Sequence, residues 1–306
     1  MLAERKGVDM KILFATDGSA PAREGEGLIT SLFDRSRAEI RVIAVTPEPT
    51  YDLLAPYGTL EPPASEVPVL DADRVAETAA QHLAESGFTA SPSTARGDQA
   101  LEILKAIESD GSYGLVILGA SHTSWMGNLL LGRVSMHVLH HAPCSVVVTH
   151  RAPTGTGRVL VGADGSEGAR SSLGSAAEVL DPDRCTIEVA TVVSHPWMFA
   201  ATYPAGTFLG RVPDPQGLER ERIEQGRVIA RRASAEASAA GFKMMEEAVL
   251  VGRPGHQLLE EADNIGADLV VVGSRGMGAM SRTLLGSVSD QVARHAPATF
   301  VGRRQS

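Results

Sequence analysis

The residues of this sequence best suited to chemistry are glycines. Gly273, Gly276 and Gly286 stand in the order Gly-x2-Gly-x9-Gly, with Ser287, Val288 and Ser289 directly behind them. Phosphate oxygens need several N–H donors at close range, and a Cβ at the contact points would hold them away. The apolar run before Gly273 reads as a strand, and the residues after Gly286 read as a helix, whose start offers unsatisfied N–H groups and a positive dipole end. Ser287 and Ser289 would add hydroxyls, or Ser287 would merely cap the helix. Glycine-rich strand-to-helix loops are common, so the pattern alone leaves a plain connection as the alternative. Asp164, in "GADGS" (162–166), is a second candidate: a carboxylate at a strand end that would face the same site or shape an Asx-turn.

The elements that must position these groups occur twice. "KILFATDGS" (11–19) returns as "RVLVGADGS" (158–166), and "LLLGRVSMHVLHHAPC" (129–144) returns as "TLLGSVSDQVARHAPA" (283–298). Internal repeats of this size imply two similar domains, set at 1–152 and 153–306, with the Pro- and Gly-containing "THRAPTGTG" (149–157) between them. In the second copy, strand patterns at "RVLVGA", "TIEVATVV", "KMMEEAVLVG", "DLVVVG" and "TFVGR" alternate with helical faces, such as Ala169, Ser172, Leu173, Ala176, Ala177 and Leu180. Alternation of this kind predicts an α/β fold with a doubly wound parallel sheet in each half. Ligands of such sheets collect beyond the carboxyl ends of the strands, where both "DGS" and the glycine loop fall. The fifth strands, "SVVVTH" (145–150) and "TFVGR" (299–303), are expected at sheet edges, which invite pairing.

Composition narrows the function further. The chain has 306 residues, 43% hydrophobic and 21% charged, with a net charge of −9. An acidic balance disfavours general nucleic-acid binding, which needs a basic face. The start carries no apolar leader, and no apolar run reaches the ~18 residues of a membrane span. A cytoplasmic protein is expected. Cys144 and Cys185 form no pair or motif, which suits buried free thiols.

The spacing Gly273-x2-Gly276-x9-Gly286-Ser287, joined to "GADGS", "LLGSVS" and "RHAP", resembles the universal stress protein family, and the duplication resembles its tandem members. The resemblance implies flavodoxin-like domains packed as an intramolecular pseudo-dimer, and a regulatory protein of the stress response that binds ATP. It assigns Asp164, Ala163 and Val192 to the adenosine part. Gly273, Arg275, Gly276, Gly286, Ser287, Val288 and Ser289 would hold ribose and phosphates, with Arg275 alternatively a solvated loop residue. Whether Mg2+ accompanies the triphosphate is left open. The first copy departs from the pattern: His122 replaces the second glycine and Arg133 the hydroxyl residue, while Gly119, Gly132 and Ser135 remain. A side chain at 122 would crowd the approach and disfavour a positive-φ backbone. Arg133 would block the pocket or grip a phosphate. Asp17, Val45, Gly119, Gly132, Arg133 and Ser135 are therefore the weaker candidate set, and the second half is expected to hold the nucleotide.

Other features carry less. His137, His140 and His141 lie at helical spacing, but no carboxylate or cysteine completes a ligand set, and no metal is expected. Trp197, Phe199, Tyr203 and Phe208 would form a lid or local packing, and the Pro-rich stretch around Tyr51 and Tyr57 a flap. No GxxxxGK[ST], Gly-x-Ser-x-Gly or HExxH is present, and no Gly-x-Gly-x-x-Gly follows the first strands, so dedicated catalysis is not expected beyond slow ATP hydrolysis. The alternative is a scaffold that binds no nucleotide and acts through protein contacts. A homodimer of the whole chain would use surfaces the sequence does not mark.

Overall fold

The computed structural model describes residues 10–48, 71–120, 131–194, 215–276 and 285–303. In the first half these form β1 (Met10–Ala15), α1 (Ala20–Leu32), β2 (Ala38–Thr46), α2 (Ala72–Glu85), β3 (Thr89–Arg96), α3 (Gln99–Asp110), β4 (Tyr113–Gly119), α4 (Arg133–His141) and β5 (Ser145–Thr149). The second half repeats the plan with β6 (Arg158–Gly162), α5 (Glu167–Val179), β7 (Thr186–Val193), α6 (Pro215–Ala239), β8 (Lys243–Val251), α7 (Pro254–Ile265), β9 (Leu269–Gly273), α8 (Ser287–His295) and β10 (Ala298–Gly302). His122, Trp197, Phe199, Tyr203, Phe208, Tyr51 and Tyr57 lie outside the described residues.

All ten strands join one sheet in the order β3-β2-β1-β4-β5-β10-β9-β6-β7-β8. Within each half the strands are parallel, as the alternating pattern requires. The order inside a half is 3-2-1-4-5, the start of the Rossmann order, whereas flavodoxin runs 2-1-3-4-5. The doubly wound class stands, and the winding reverses beside the first strand of each half. Central strands such as β4 are buried along almost their whole length, which is why they read as unbroken apolar runs. One face of the sheet packs against α1, α2, α5 and α6, the other against α3, α4, α7 and α8.

The fifth strands pair with each other. β5 and β10 run antiparallel, with Val147 opposite Phe300 and Thr149 opposite Ala298. The outer edges of the sheet fall instead to β3 and β8. β3 carries Pro92, and β8 carries Lys243, Glu246 and Glu247, residues that discourage further strand addition.

Reciprocal contacts reinforce this seam. The Asp34 N–H donates to Val179 O and the Asp181 N–H to Leu32 O, both at 2.8 Å. Arg37 reaches Ala177 O at 3.1 Å, and Arg184 reaches Thr30 O at 2.9 Å. Beyond β10, Arg303 donates to Leu139 O at 2.6 Å and His140 O at 3.1 Å, in the last turn of α4. Beyond β5, His150 Nε2 lies 2.7 Å from Ala293 O, in the last turn of α8. A cation such as Arg303 belongs at a helix carboxyl end, where carbonyls lack intrahelical partners. Cys144 and Cys185 are buried free thiols, both pushed up to about 12 by burial, and so unreactive at neutral pH.

Candidate functional site

Each half begins its site with the same turn. In "DGS" the aspartate Oδ1 accepts the N–H of the serine two residues on, Asp17 from Ser19 and Asp164 from Ser166, both at 2.9 Å. The glycine between them sits at φ +72° in Gly18 and +81° in Gly165, a conformation that side chains disfavour. The serine caps the next helix, Ser19 Oγ accepting from Ala22 N at 3.5 Å and Ser166 Oγ from Ala169 N at 3.1 Å. The Asx-turn reading of Asp164 is thus realised, and it engages only Oδ1.

Oδ2 of Asp164 faces the glycine loop. A Cβ built on Gly276 would stand 2.6 Å from it. Gly276 does not have a positive φ, so the expected backbone reason for glycine at this position fails, and space beside the carboxylate replaces it. Gly273 is equally confined: its Cβ would lie 2.9 Å from both Ala169 N and Gly168 C, at the start of α5. Gly119 meets the start of α1 in the same way, with Pro21 C at 2.5 Å.

The helix that closes the loop starts at Gly286, not at a serine. Gly286 is the N-cap of α8 and supplies no side-chain bond, so Ser287 is the first helical residue and does not cap. The N–H groups of the first turn therefore lack both an intrahelical and a capping acceptor. Ser289 is buried and donates its hydroxyl to Gly273 O at 2.5 Å, tying helix to strand; Ser135 does the same to Gly119 O at 2.7 Å.

These parts enclose a cavity of about 430 Å³ at the carboxyl ends of β6, β7 and β9. All ten second-half candidates line it: Ala163, Asp164, Val192, Gly273, Arg275, Gly276, Gly286, Ser287, Val288 and Ser289. Sequence reasoning missed the remaining wall, Gly162, Ala169, Ala190, Pro254, Leu258 and Val272. A signal for Ala190 existed, because alternate residues of a strand share a face and Val192 was already placed there.

The first half holds a matching but smaller cavity of about 120 Å³, lined by Asp17, Val45, Gly119 and Ser135 among others. Gly132 and Arg133 are not in its wall. Arg133 neither blocks the cavity nor reaches into it: the side chain is 85% exposed and pairs with Asp98 at 3.0 Å. The N-cap of α3, Asp98, has its carboxyl held below the usual carboxylate range, chiefly by the Leu101 N–H and further by Arg133. Arg253 is the N-cap at the corresponding place before α7 and makes no side-chain cap bond there.

The histidines are engaged in packing. His137 and His141 stack with ring centroids 4.3 Å apart, and His140 Nε2 lies 3.6 Å from Asp290 across the seam. Among the described residues no group of three His, Cys, Asp or Glu is arranged to hold a metal, and no helix is long and apolar enough to cross a membrane.

Behind the cavity, β7 carries Glu188, 4% exposed and on the same strand face as Ala190. Burial, then the hydrogen bond and like charge of Glu261 and the charge of Glu246, push its carboxyl from 4.5 up to about 7. The folded state thus keeps a proton that the unfolded chain releases earlier. Stability contributed by protonated Glu188 is full below pH 4.5 and is lost as pH rises from there through about 7. Glu188→Gln should flatten that fall in urea denaturation at pH 5, 7 and 8, and an unchanged slope would count against this assignment.

Fold and cavity together define a class: a duplicated, doubly wound α/β protein with a hollow beside the winding reversal of each half, glycine-lined in the second. The chain belongs to the universal stress protein family, whose sequence model matches residues 10–150 and again 155–301. A universal stress protein of Mycolicibacterium smegmatis is 31% identical over 195 residues, 62% of this chain and 61% of that one. One from Mycobacterium tuberculosis is 29% identical over 212 residues, 65% of each chain. The matches therefore span less than two-thirds of these relatives' own length. Among solved structures, a universal stress protein from Archaeoglobus fulgidus shares the fold with a TM-score of 0.61 at 22% identity, covering 96% of this chain and 98% of that one.

Proposed function

We propose that the protein is a regulatory ATP-binding protein of the stress response, with the nucleotide held in the second half, 153–306. The observation that carries this reading is the 430 Å³ hollow, around which every second-half residue assigned to a nucleotide converges. Its chemistry suits both ends of the ligand. Ala163, Ala190, Val192 and Leu258 offer an apolar wall for the base, with Asp164 at the adenosine end. Gly273, Gly276 and the uncapped start of α8 present main-chain N–H groups for the phosphates. Arg275 adds a cation to the same wall. The chain's role is to bind and to signal binding, with at most slow hydrolysis, since no side chain of the described wall is a base placed beside a phosphate-binding lysine. The β5–β10 pairing and its reciprocal contacts support an intramolecular pseudo-dimer of the two halves.

Isothermal titration of the full chain with ATP tests the reading. One ATP per chain is expected, with Mg2+ present and absent as separate arms. No heat at millimolar ATP would refute it and leave the scaffold alternative.

A further inference from the structure

The two cavities share a plan but not a floor. In the second half the strand-paired residues beneath the cavity are Gly162 on β6 and Ala190 on β7. Their counterparts in the first half, paired in the same register, are Ala15 and Ile43. At this end the walls correspond, Val192 to Val45, Leu258 to Ile103 and Ser289 to Ser135, whereas Arg275, Gly276, Gly286 and Ser287 line the larger cavity alone. A Cβ built on Gly162 would lie 3.1 Å from Leu258 Cδ1 and 3.4 Å from Val272 Cγ1, both cavity residues, so a side chain here would push into the cavity wall.

The first half has a methyl group at 15 and a branched butyl group at 43 where the second has a hydrogen and a methyl. Its cavity is about 120 Å³ against about 430 Å³. Ile43 is 4% exposed, and its β-branch leaves it few rotamers, so it does not swing clear inside a close-packed sheet.

On the nucleotide reading above, we propose that position 190 and its counterpart 43 decide which half admits the base: Ala190 with Gly162 leaves an apolar slot open, and Ile43 with Ala15 fills it. Selection then acts at the base end of the ligand, independently of the glycine loop. It also narrows the first cavity without any role for Arg133, which is turned outward to Asp98.

The experiment titrates the full-length wild type, Ala190→Ile and Ala190→Val with ATP and, separately, with inorganic triphosphate, which has no base. Isoleucine already occupies the equivalent strand position in the first half, and valine supplies the same comparison if the isoleucine variant does not fold. Overfilling a packed slot should lower ATP affinity about tenfold or more for isoleucine and less for valine. Affinity for inorganic triphosphate should not change in either variant. Equal ATP affinity in wild type and Ala190→Ile would overturn the gate while leaving the nucleotide reading intact. Parallel loss of ATP and triphosphate would also overturn it, because the effect would not be confined to the base. A wild type that binds no ATP refutes both.

Discussion

Gly276→Ala is expected to weaken ATP binding by roughly tenfold to a hundredfold, the factor for about 1–3 kcal/mol of steric conflict. The added methyl would be placed 2.6 Å from Asp164 Oδ2, closer than any real contact. Either the loop backs away from the cavity or the carboxylate turns from the adenosine end. A double-mutant cycle separates this cause from a general loop defect: in an Asp164→Ala background the clash is gone, and the further loss on Gly276→Ala should be small. Wild-type affinity in Gly276→Ala would remove the glycine loop from the binding site. Full additivity of the two substitutions would instead dissociate the loop from Asp164.

The second large effect concerns stability. Asp268, 1% exposed at the foot of β9, gathers the segment that joins the halves. Its Oδ1 accepts from Thr154 N at 2.5 Å and Thr154 Oγ1 at 2.7 Å; its Oδ2 accepts from Gly157 N at 2.8 Å and Thr156 Oγ1 at 3.0 Å. Replacing the carboxylate with a methyl strands the buried Gly157 N–H and releases the more exposed Thr154 N–H to water. Asp268→Ala should cost about 3 kcal/mol or more in urea unfolding, since bonds to a charged acceptor are the stronger class. Asp268→Asn, which keeps one carbonyl oxygen, should cost less. A change under about 0.5 kcal/mol for alanine, the range of ordinary surface substitutions, would show that the segment is held by other means.

The sequence was informative where a local rule decides the outcome. The duplication, the strand–helix alternation and the glycine spacing are one-dimensional signals, and β7 falls on the very residues whose periodicity marked it. The "DGS" turn was half legible: its Asx-turn and cap follow from residue types, but the use of the second carboxylate oxygen depends on a loop more than a hundred residues away. Three features were out of reach for the same reason. Strand order rests on which crossovers pack best, so the 3-2-1-4-5 arrangement was not visible in the alternation. The pairing of Arg133 with Asp98, rather than with the pocket, is set by the cap of a different helix. The roles of Gly162 and Ala190 emerge only when β6 and β7 are laid side by side, since small residues in a strand carry no signature of the space above them. Ser287 was open between cap and ligand, and a shift of one residue in the helix start settled the first point.

The seam has a directional consequence. Because β5 and β10 oppose each other while every other pairing is parallel, the strands of one half end where those of the other begin. The two hollows therefore open toward opposite rims of the slab, back to back, and no single small molecule can bridge them. Helix α8 spans part of that separation: its amino end meets the larger hollow, and its carboxyl end is met by His150 from the neighbouring half.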